Sequence, residues 1–310
     1  YFLNLINNFV VIFFHIYILA VVLLNLNFFM IKINNKRISA ENKSPLIVAE
    51  ISGNHGGNKK KFLNLVNSAC KNGADLIKIQ TYEPEDITLN IKNKNFKIKN
   101  GIWKNKYLWD LYSKAHTPFN WHKEAFDIAK KYKKILFSSP FSIRAVDFLE
   151  KFNTPLYKIA SFEITDLKLI NYIASKKKPI IISTGMASLR EIKSAIKEIN
   201  KYHKKIIILH CVSDYPTDLK NINLNKILLL KKKFKDYLIG LSDHTNDIHS
   251  SIASNFYKPV IIEKHFKLDD GKKTTDSKFS ITPVKLKMLK EIITNLNNSK
   301  NTKKKILKNL

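Results

Sequence analysis

Eight short apolar runs, at 46–53, 75–82, 134–141, 156–162, 179–186, 205–211, 237–244 and 260–266, alternate with longer stretches of helical period. Runs this short and this apolar suit strands buried on both faces, which means a parallel sheet covered by helices. Helical stretches fall at 61–71, 120–132, 144–152, 189–203 and 284–298, among others. Eight strand-helix units predict a closed (β/α)8 barrel of the TIM type over residues 46–290, in preference to an open doubly wound sheet. No GxGxxG or Walker glycine pattern follows any of the runs, which argues against a nucleotide-binding fold.

The ends of the chain read differently. Residues 9–24 are apolar except for His15, and with Asn25 and Asn27 tolerated the segment reaches Ile31, long enough to span a bilayer. It lacks the basic start and the small-residue cleavage site of a secretory signal. The chain opens at Tyr1, whereas Met30 begins a stretch, MIKINNKRISAENKSPLIVAE, that runs into the first strand. Residues 1–29 are therefore expected to be upstream translation or, if expressed, a transmembrane helix. Lys32, Lys36 and Arg37 would then keep the body cytoplasmic, and membrane contact is expected only in that case. Residues 30–45 read as a lead-in, and 291–310 as a helix and lysine-rich tail. Cys70 and Cys211 are the only cysteines and both sit in apolar surroundings, which predicts buried free thiols in a reducing compartment.

A formal net charge of +29 raises nucleic acid as a partner, but only Arg37, Arg144 and Arg190 among the 54 basic residues are arginine. Base readout and bidentate phosphate recognition favour the guanidinium fork, so the lysine excess reads as solvated surface with some attraction for anionic substrates, and no nucleic acid is expected.

Barrel enzymes build their sites at the carboxyl ends of the strands, and here every run ends polar. The first ends in Glu50, the second in Lys78 and Gln80, the third in Ser138 and Ser139, the fourth in Lys158, Ser161 and Glu163. Ser183 and Thr184 end the fifth, His210 and Ser213 the sixth, Ser242, Asp243 and His244 the seventh, and Glu263, Lys264 and His265 the eighth. A lone strand-end histidine is usually structural, and Ser-Thr-Gly is usually a turn. Eight polar ends on one face make a site. Lys78 and Lys158 with several hydroxyls suit a phosphate or carboxylate, which points to an anionic substrate. His244 and His265 end the last two strands, neighbours in a closed barrel, so their imidazoles can share a divalent metal with positions open to water and a substrate oxygen. Spacing alone leaves Mn²⁺, Mg²⁺ and Zn²⁺ open.

The same residues carry a resemblance. IVAEISGNHGGNKKKFLNLVNSACKNGADLIKIQTY, FSSPF, YKIASFEI, STGM, LHCVSDYPT, GLSDHT and VIIEKHF, in this order, resemble the sialic acid synthase family of phosphoenolpyruvate-dependent nonulosonic acid synthases, across about residues 46–290. Within it, GIWKNKYLWDLYSKAHTPFNWH (101–122) and TTDSKFS (274–280) resemble the pseudaminic acid synthase branch. The resemblance implies that C3 of phosphoenolpyruvate attacks the aldehyde of an open-chain N-acetylated amino sugar, that water adds to C2, and that phosphate leaves by C–O cleavage. It implies His244 and His265 as ligands of Mn²⁺ or Mg²⁺, and Lys78, Ser139, Lys158, Ser161, Ser183, Ser213 and Ser242 as phosphoenolpyruvate contacts. Ser213 stands where the family often has Asn. Gln80, Glu163, Tyr215 and Asp276 match residues that hold the sugar. Lys78 and Lys158 count among the catalytic groups, as does Glu50, either in proton transfer or as a carboxylate orienting Lys78 or a water.

Family members continue into a small antifreeze-like domain that, across a homodimer, lends an arginine to the partner's sugar site. This chain is expected to lack that domain. Two alternatives stand beside the pseudaminic reading: the same reaction on N-acetylmannosamine or a legionaminate precursor, and a non-catalytic barrel remnant. Retention of Lys78, Lys158 and both histidines argues against the remnant.

Overall fold

Residues 30–299 are described by a computed structural model; the expectations for residues 1–29 and for the tail beyond 299 lie outside the described residues. The lead-in is an antiparallel hairpin of β1 (Met30–Ile33) and β2 (Lys36–Ser39), closed at Asn34, whose φ of 50° is left-handed. Its alternating pattern turns Ile31, Ile33 and Ile38 inward against the lower barrel interior, where they meet Val48, Leu76 and Phe137. The hairpin thus seals the floor with apolar surface that would otherwise face water.

Each of the eight expected runs contains one barrel strand: β3 (Leu46–Glu50), β4 (Leu76–Thr81), β5 (Ile135–Pro140), β6 (Tyr157–Ile159), β7 (Ile180–Ser183), β8 (Ile206–Cys211), β9 (Leu238–Asp243) and β10 (Ile261–His265). They pair in parallel in chain order, and β10 closes on β3. The barrel is the (β/α)8 fold expected.

Around it run α1 (Lys59–Lys71), α2 (Leu108–Ala115), α3 (His122–Lys131), α4 (Ile143–Glu150), α5 (Leu167–Ser175), α6 (Leu189–Asn200), α7 (Lys226–Lys233), α8 (His249–Ser254) and α9 (Pro283–Ser299). Helix α6 shows why such segments are helical. Ser188 and Glu191 form a reciprocal capping box, and Ile192, Ala195, Ile196 and Ile199 make one apolar stripe toward the strands. No helix among the described residues is long and apolar enough to cross a membrane.

Strand alternation sorts the polar ends. Glu263 and His265 face the barrel axis, whereas Lys264 between them points outward, 3.3 Å from Asp243 and bonded to the Thr245 carbonyl. Asp243 in turn accepts from Ser250 and Ser251 of α8. Ser138 donates to the Ile79 carbonyl, Thr184 to the Leu209 carbonyl, and His210 bonds the Ile222 carbonyl. These outward ends tie strands to one another, to loops and to helices.

Candidate active site

The inward ends form one polar layer. In the barrel register Glu50 lies beside Lys78 and Ser242 beside Glu263. Lys78 Nζ donates to Glu263 Oε1 at 2.7 Å and lies 3.3 Å from Glu50 Oε2; Lys158 Nζ donates to the same Glu263 oxygen at 3.0 Å. Ser242 Oγ donates to it as well, at 3.2 Å, and Gln80 Nε2 donates to Glu50 Oε1 at 3.2 Å.

All these charges are buried, and their surroundings push them apart. Glu263 stays well below the usual carboxylate range because the two ammoniums outweigh the cost of its burial. Burial lowers Lys158 to about 8 against the pull of Glu263, with the neighbouring Lys78 charge also lowering it. Lys78 has two carboxylates beside it and is raised despite its burial. Burial lifts Glu50 to about 7, more than Lys78 can offset.

Next to this layer hydroxyls crowd around Gly185. Its N–H donates to Ser161 Oγ at 3.1 Å. A Cβ on Gly185 would fall 2.1 Å from Ser213 Oγ, 2.9 Å from Ser161 Oγ and 3.1 Å from Cys211 Sγ, so a side chain in the STGM turn would push these groups out of place. The hydroxyls of Ser183 and Ser213 are buried with no hydrogen-bond partner among the described residues, as is that of Ser139. Unmatched buried polar atoms are costly, and their clustering here marks a place built for a polar ligand.

His244 and His265 are neighbours, with ring centroids 5.3 Å apart. His244 Nδ1 lies 2.8 Å from the Val212 carbonyl, a bond that puts the proton on Nδ1 and leaves Nε2 with its lone pair. Burial, and then the nearby His244 and Lys78 charges, hold His265 well below its usual range, and its buried Nδ1 has no hydrogen-bond partner among the described residues. His265 is held neutral, while His244 is raised despite its burial by the neighbouring Cys211 thiol and gives up its Nε2 proton when a cation takes that position, so the pair suits a divalent metal. Among the described residues no third His, Cys, Asp or Glu completes a cage around them. Cys70 and Cys211 are both free and buried, as expected, but Cys211 is not in the apolar core: its Sγ lies 3.8 Å from His244 Nδ1 and 3.6 Å from Ser161 Oγ.

Above the layer opens a cavity of about 710 Å³. Of the sequence-derived site residues, Lys78, Lys158, Ser161, Ser183, Ser213 and Ser242 line it, with Gln80, Glu163, Tyr215 and Asp276 and with both histidines. Glu50 and Ser139 do not line it; Glu50 sits beneath Lys78 and Gln80, fully buried. Asp276 accepts from Ser52 Oγ at 2.5 Å and the Gly53 N–H at 3.1 Å, tying the loop after β10 to the loop after β3. Burial lifts Glu163 to about 7, and its buried Oε2 has no hydrogen-bond partner among the described residues. Tyr215 packs against His244 at a tilt, their ring centroids 4.4 Å apart.

One feature was not singled out in the sequence. Glu263 was one polar strand end among many, although two buried lysines require a counter-charge and its spacing to His265 sets it on the inner face. The apolar part of the cavity, from Ile98 to Leu111, comes from the long connection between β4 and β5; residues 101–122 were marked in the sequence by resemblance alone, with no strand period to show that they wall a cavity.

A profile of the NeuB family matches residues 65–305. The chain belongs to the NeuB family. It is 42% identical over 241 residues to a pseudaminic acid synthase of Campylobacter jejuni, covering 77% of this chain and 70% of that protein, and 42% identical over 240 residues to one of Helicobacter pylori, covering 76% and 70%. An N,N'-diacetyllegionaminic acid synthase of C. jejuni is 36% identical over 80% of this chain and 75% of its own. Among solved structures, an N-acetylneuraminic acid synthetase of Leptospira borgpetersenii in complex with citrate superposes with a TM-score of 0.78 at 28% identity, covering 89% of this chain and 91% of that one. This NeuB chain is accordingly an enzyme, a phosphoenolpyruvate-dependent nonulosonic acid synthase.

Proposed function

We propose that this NeuB chain joins phosphoenolpyruvate to 2,4-diacetamido-2,4,6-trideoxy-L-altrose, releasing phosphate and a nine-carbon acid, as a pseudaminic acid synthase. The observation that carries this reading is one cavity onto which two buried ammoniums, the hydroxyls around Gly185 and two imidazoles all face, in a chain 42% identical to proteins named for that activity. Residues 46–290 are the catalytic unit in this reading. The cytoplasm, where both thiols stay reduced, is its place, and a homodimer its expected assembly.

Lys78 and Lys158 take the charges of phosphoenolpyruvate, drawing partly away from Glu263, while Ser161, Ser183, Ser213 and Ser242 supply hydroxyl donors. Gln80, Tyr215 and Asp276 hold the sugar. As C3 attacks the aldehyde carbon, the aldehyde oxygen needs a proton, and Glu163, near half-protonated at neutral pH, faces the cavity to give it. Water then adds to C2; one of its protons restores Glu163 and the other leaves with phosphate as the C–O bond breaks. Glu50 keeps Lys78 and Gln80 in place from below and is the second group in this layer able to exchange a proton near pH 7. His244 and His265 would hold Mn²⁺ or Mg²⁺, which when bound supplies Lewis-acid polarisation of the aldehyde.

The test is phosphate release from phosphoenolpyruvate in the presence of Mn²⁺, with the altrose sugar compared against N-acetylmannosamine. Release with the altrose sugar is expected. Release with N-acetylmannosamine alone would move the chain to the neuraminate branch, and silence with every sugar in a folded, metal-loaded sample would overturn the reading.

A further inference from the structure

The cavity has two chemically different halves. Its floor, carried by the strand ends, holds the ammoniums, hydroxyls and imidazoles. One wall comes instead from the connection between β4 and β5, where residues 97–107 fold back as a hairpin. Lys97 bridges Tyr107, the Ile98 N–H donates to the Lys106 carbonyl at 2.9 Å, and the Asn105 N–H donates to the Ile98 carbonyl at 2.9 Å. The hairpin reaches across the mouth and is latched there. Trp103 Nε1–H donates to the Thr275 carbonyl at 3.0 Å, and its ring lies 5.7 Å from Tyr215 and 6.1 Å from Phe279.

Four of the side chains that the hairpin and the start of α2 turn toward the cavity are aliphatic, Ile98, Ile102, Leu108 and Leu111, with Ile87 beside them. None of these side chains can give or take a hydrogen bond. The polar neighbours Asn100 and Tyr112, which also line the cavity, suit the amides of acetamido groups. We propose that this hairpin and the first turn of α2 form the subsite that selects a 6-deoxy sugar, the C6 methyl lying against Ile102, Leu108 and Leu111. This rests on the reaction proposed above and names the residues that choose its sugar. The anionic groups of phosphoenolpyruvate and the sugar aldehyde belong to the polar floor, so the far end of the sugar chain meets this wall. A hydroxymethyl there gives up its water and finds no partner, whereas a methyl loses nothing and fills apolar space. Trp103 is a positioning residue: it holds the wall over the mouth.

The experiment compares two ligands differing at one atom, 2,4-diacetamido-2,4,6-trideoxy-L-altrose and its 6-hydroxy analogue. Each is used as the reduced alditol for calorimetric binding to the Mn²⁺- and phosphoenolpyruvate-loaded enzyme, and as the aldehyde for turnover. The alditols lack the reacting carbonyl, so binding is read without chemistry. The wild type is expected to bind the 6-deoxy alditol roughly 10- to 100-fold more tightly. Ile102→Ser and Leu108→Ser, both at half-buried positions that should tolerate a small polar side chain, should cut that ratio several-fold while leaving the KM for phosphoenolpyruvate unchanged. Equal binding of the two alditols by the wild type, or an unchanged ratio in both folded variants, would overturn the proposal. Failure of turnover with every aldehyde would instead count against the proposed reaction, and the alditol ratio would still decide the subsite.

Discussion

Glu263 is the residue whose removal should tell most about this site. Its carboxylate is 2% exposed and accepts from Lys78 and Lys158, which are 4% and 1% exposed, at 2.7 and 3.0 Å. Glu263→Gln keeps the shape and a hydrogen-bond acceptor but deletes the charge facing two buried ammoniums. Removing one partner of a buried ion pair costs about 3–5 kcal/mol, because the charge left behind is desolvated and unpaired. Lys78 keeps Glu50 at 3.3 Å, so the lower end applies, about 3 kcal/mol. At roughly 2–4 °C per kcal/mol for a chain of this size, the melting temperature of the ligand-free variant should fall by about 6–12 °C. Phosphoenolpyruvate brings its own negative charge to the same lysines and should restore a larger part of that loss in the variant than it adds to the wild type. The assay is a thermal melt of both proteins with and without saturating phosphoenolpyruvate. A ligand-free variant melting within about 2 °C of the wild type would show that Glu263 does not hold the two lysines and would refute the reasoning.

Three further outcomes follow from the same geometry. Gly185→Ala should raise the KM for phosphoenolpyruvate by about tenfold or more with little change in melting temperature, since its methyl would enter the space between Ser213 and Ser161; an unchanged KM would mean the substrate does not use those hydroxyls. Burial raises Glu163 to about 7 from its ordinary value of 4.5, so the folded state binds more protons than the unfolded state between these values, and wild-type stability falls as pH rises through that window and levels off above it. Glu163→Gln should lose that component of the slope in denaturant titrations at pH 5, 6, 7 and 8, and identical slopes would remove the raised pKa. Because burial sets Lys158 at about 8, kcat/KM for phosphoenolpyruvate should decline above that pH as the ammonium loses its proton; a flat profile to pH 9.5 would mean that Lys158 does not carry substrate charge.

Much of this protein was legible in one dimension because its strands are buried on both faces. A strand between a packed barrel interior and a ring of helices must be apolar nearly throughout, so β7, a run of three isoleucines ending in Ser183, announces itself and its end. The barrel topology then puts all eight carboxyl ends on one rim, which is why Lys78, Lys158, His244 and His265 could be gathered without coordinates. Residue type and spacing do not say which way a strand end points. Glu263, Lys264 and His265 are consecutive and all polar, yet only pairing in the closed barrel sends the first and third to the cavity and the second to Asp243 and the loop at Thr245. Depth is likewise a property of three dimensions. Glu50 and Ser139 stand at the right strand ends and still lie outside the cavity wall. The hairpin of residues 97–107 has no strand period of its own, and it takes its place over the mouth from contacts to Thr275, Tyr215 and Phe279, more than a hundred residues away in the chain. The sequence by itself determined the number and order of strands and the chemistry of their rim, through local patterns of burial. Only the tertiary structure decided which charges share Glu263, which hydroxyls surround Gly185 and what covers the sugar end, because those contacts join residues whose separation along the chain carries no periodic signal.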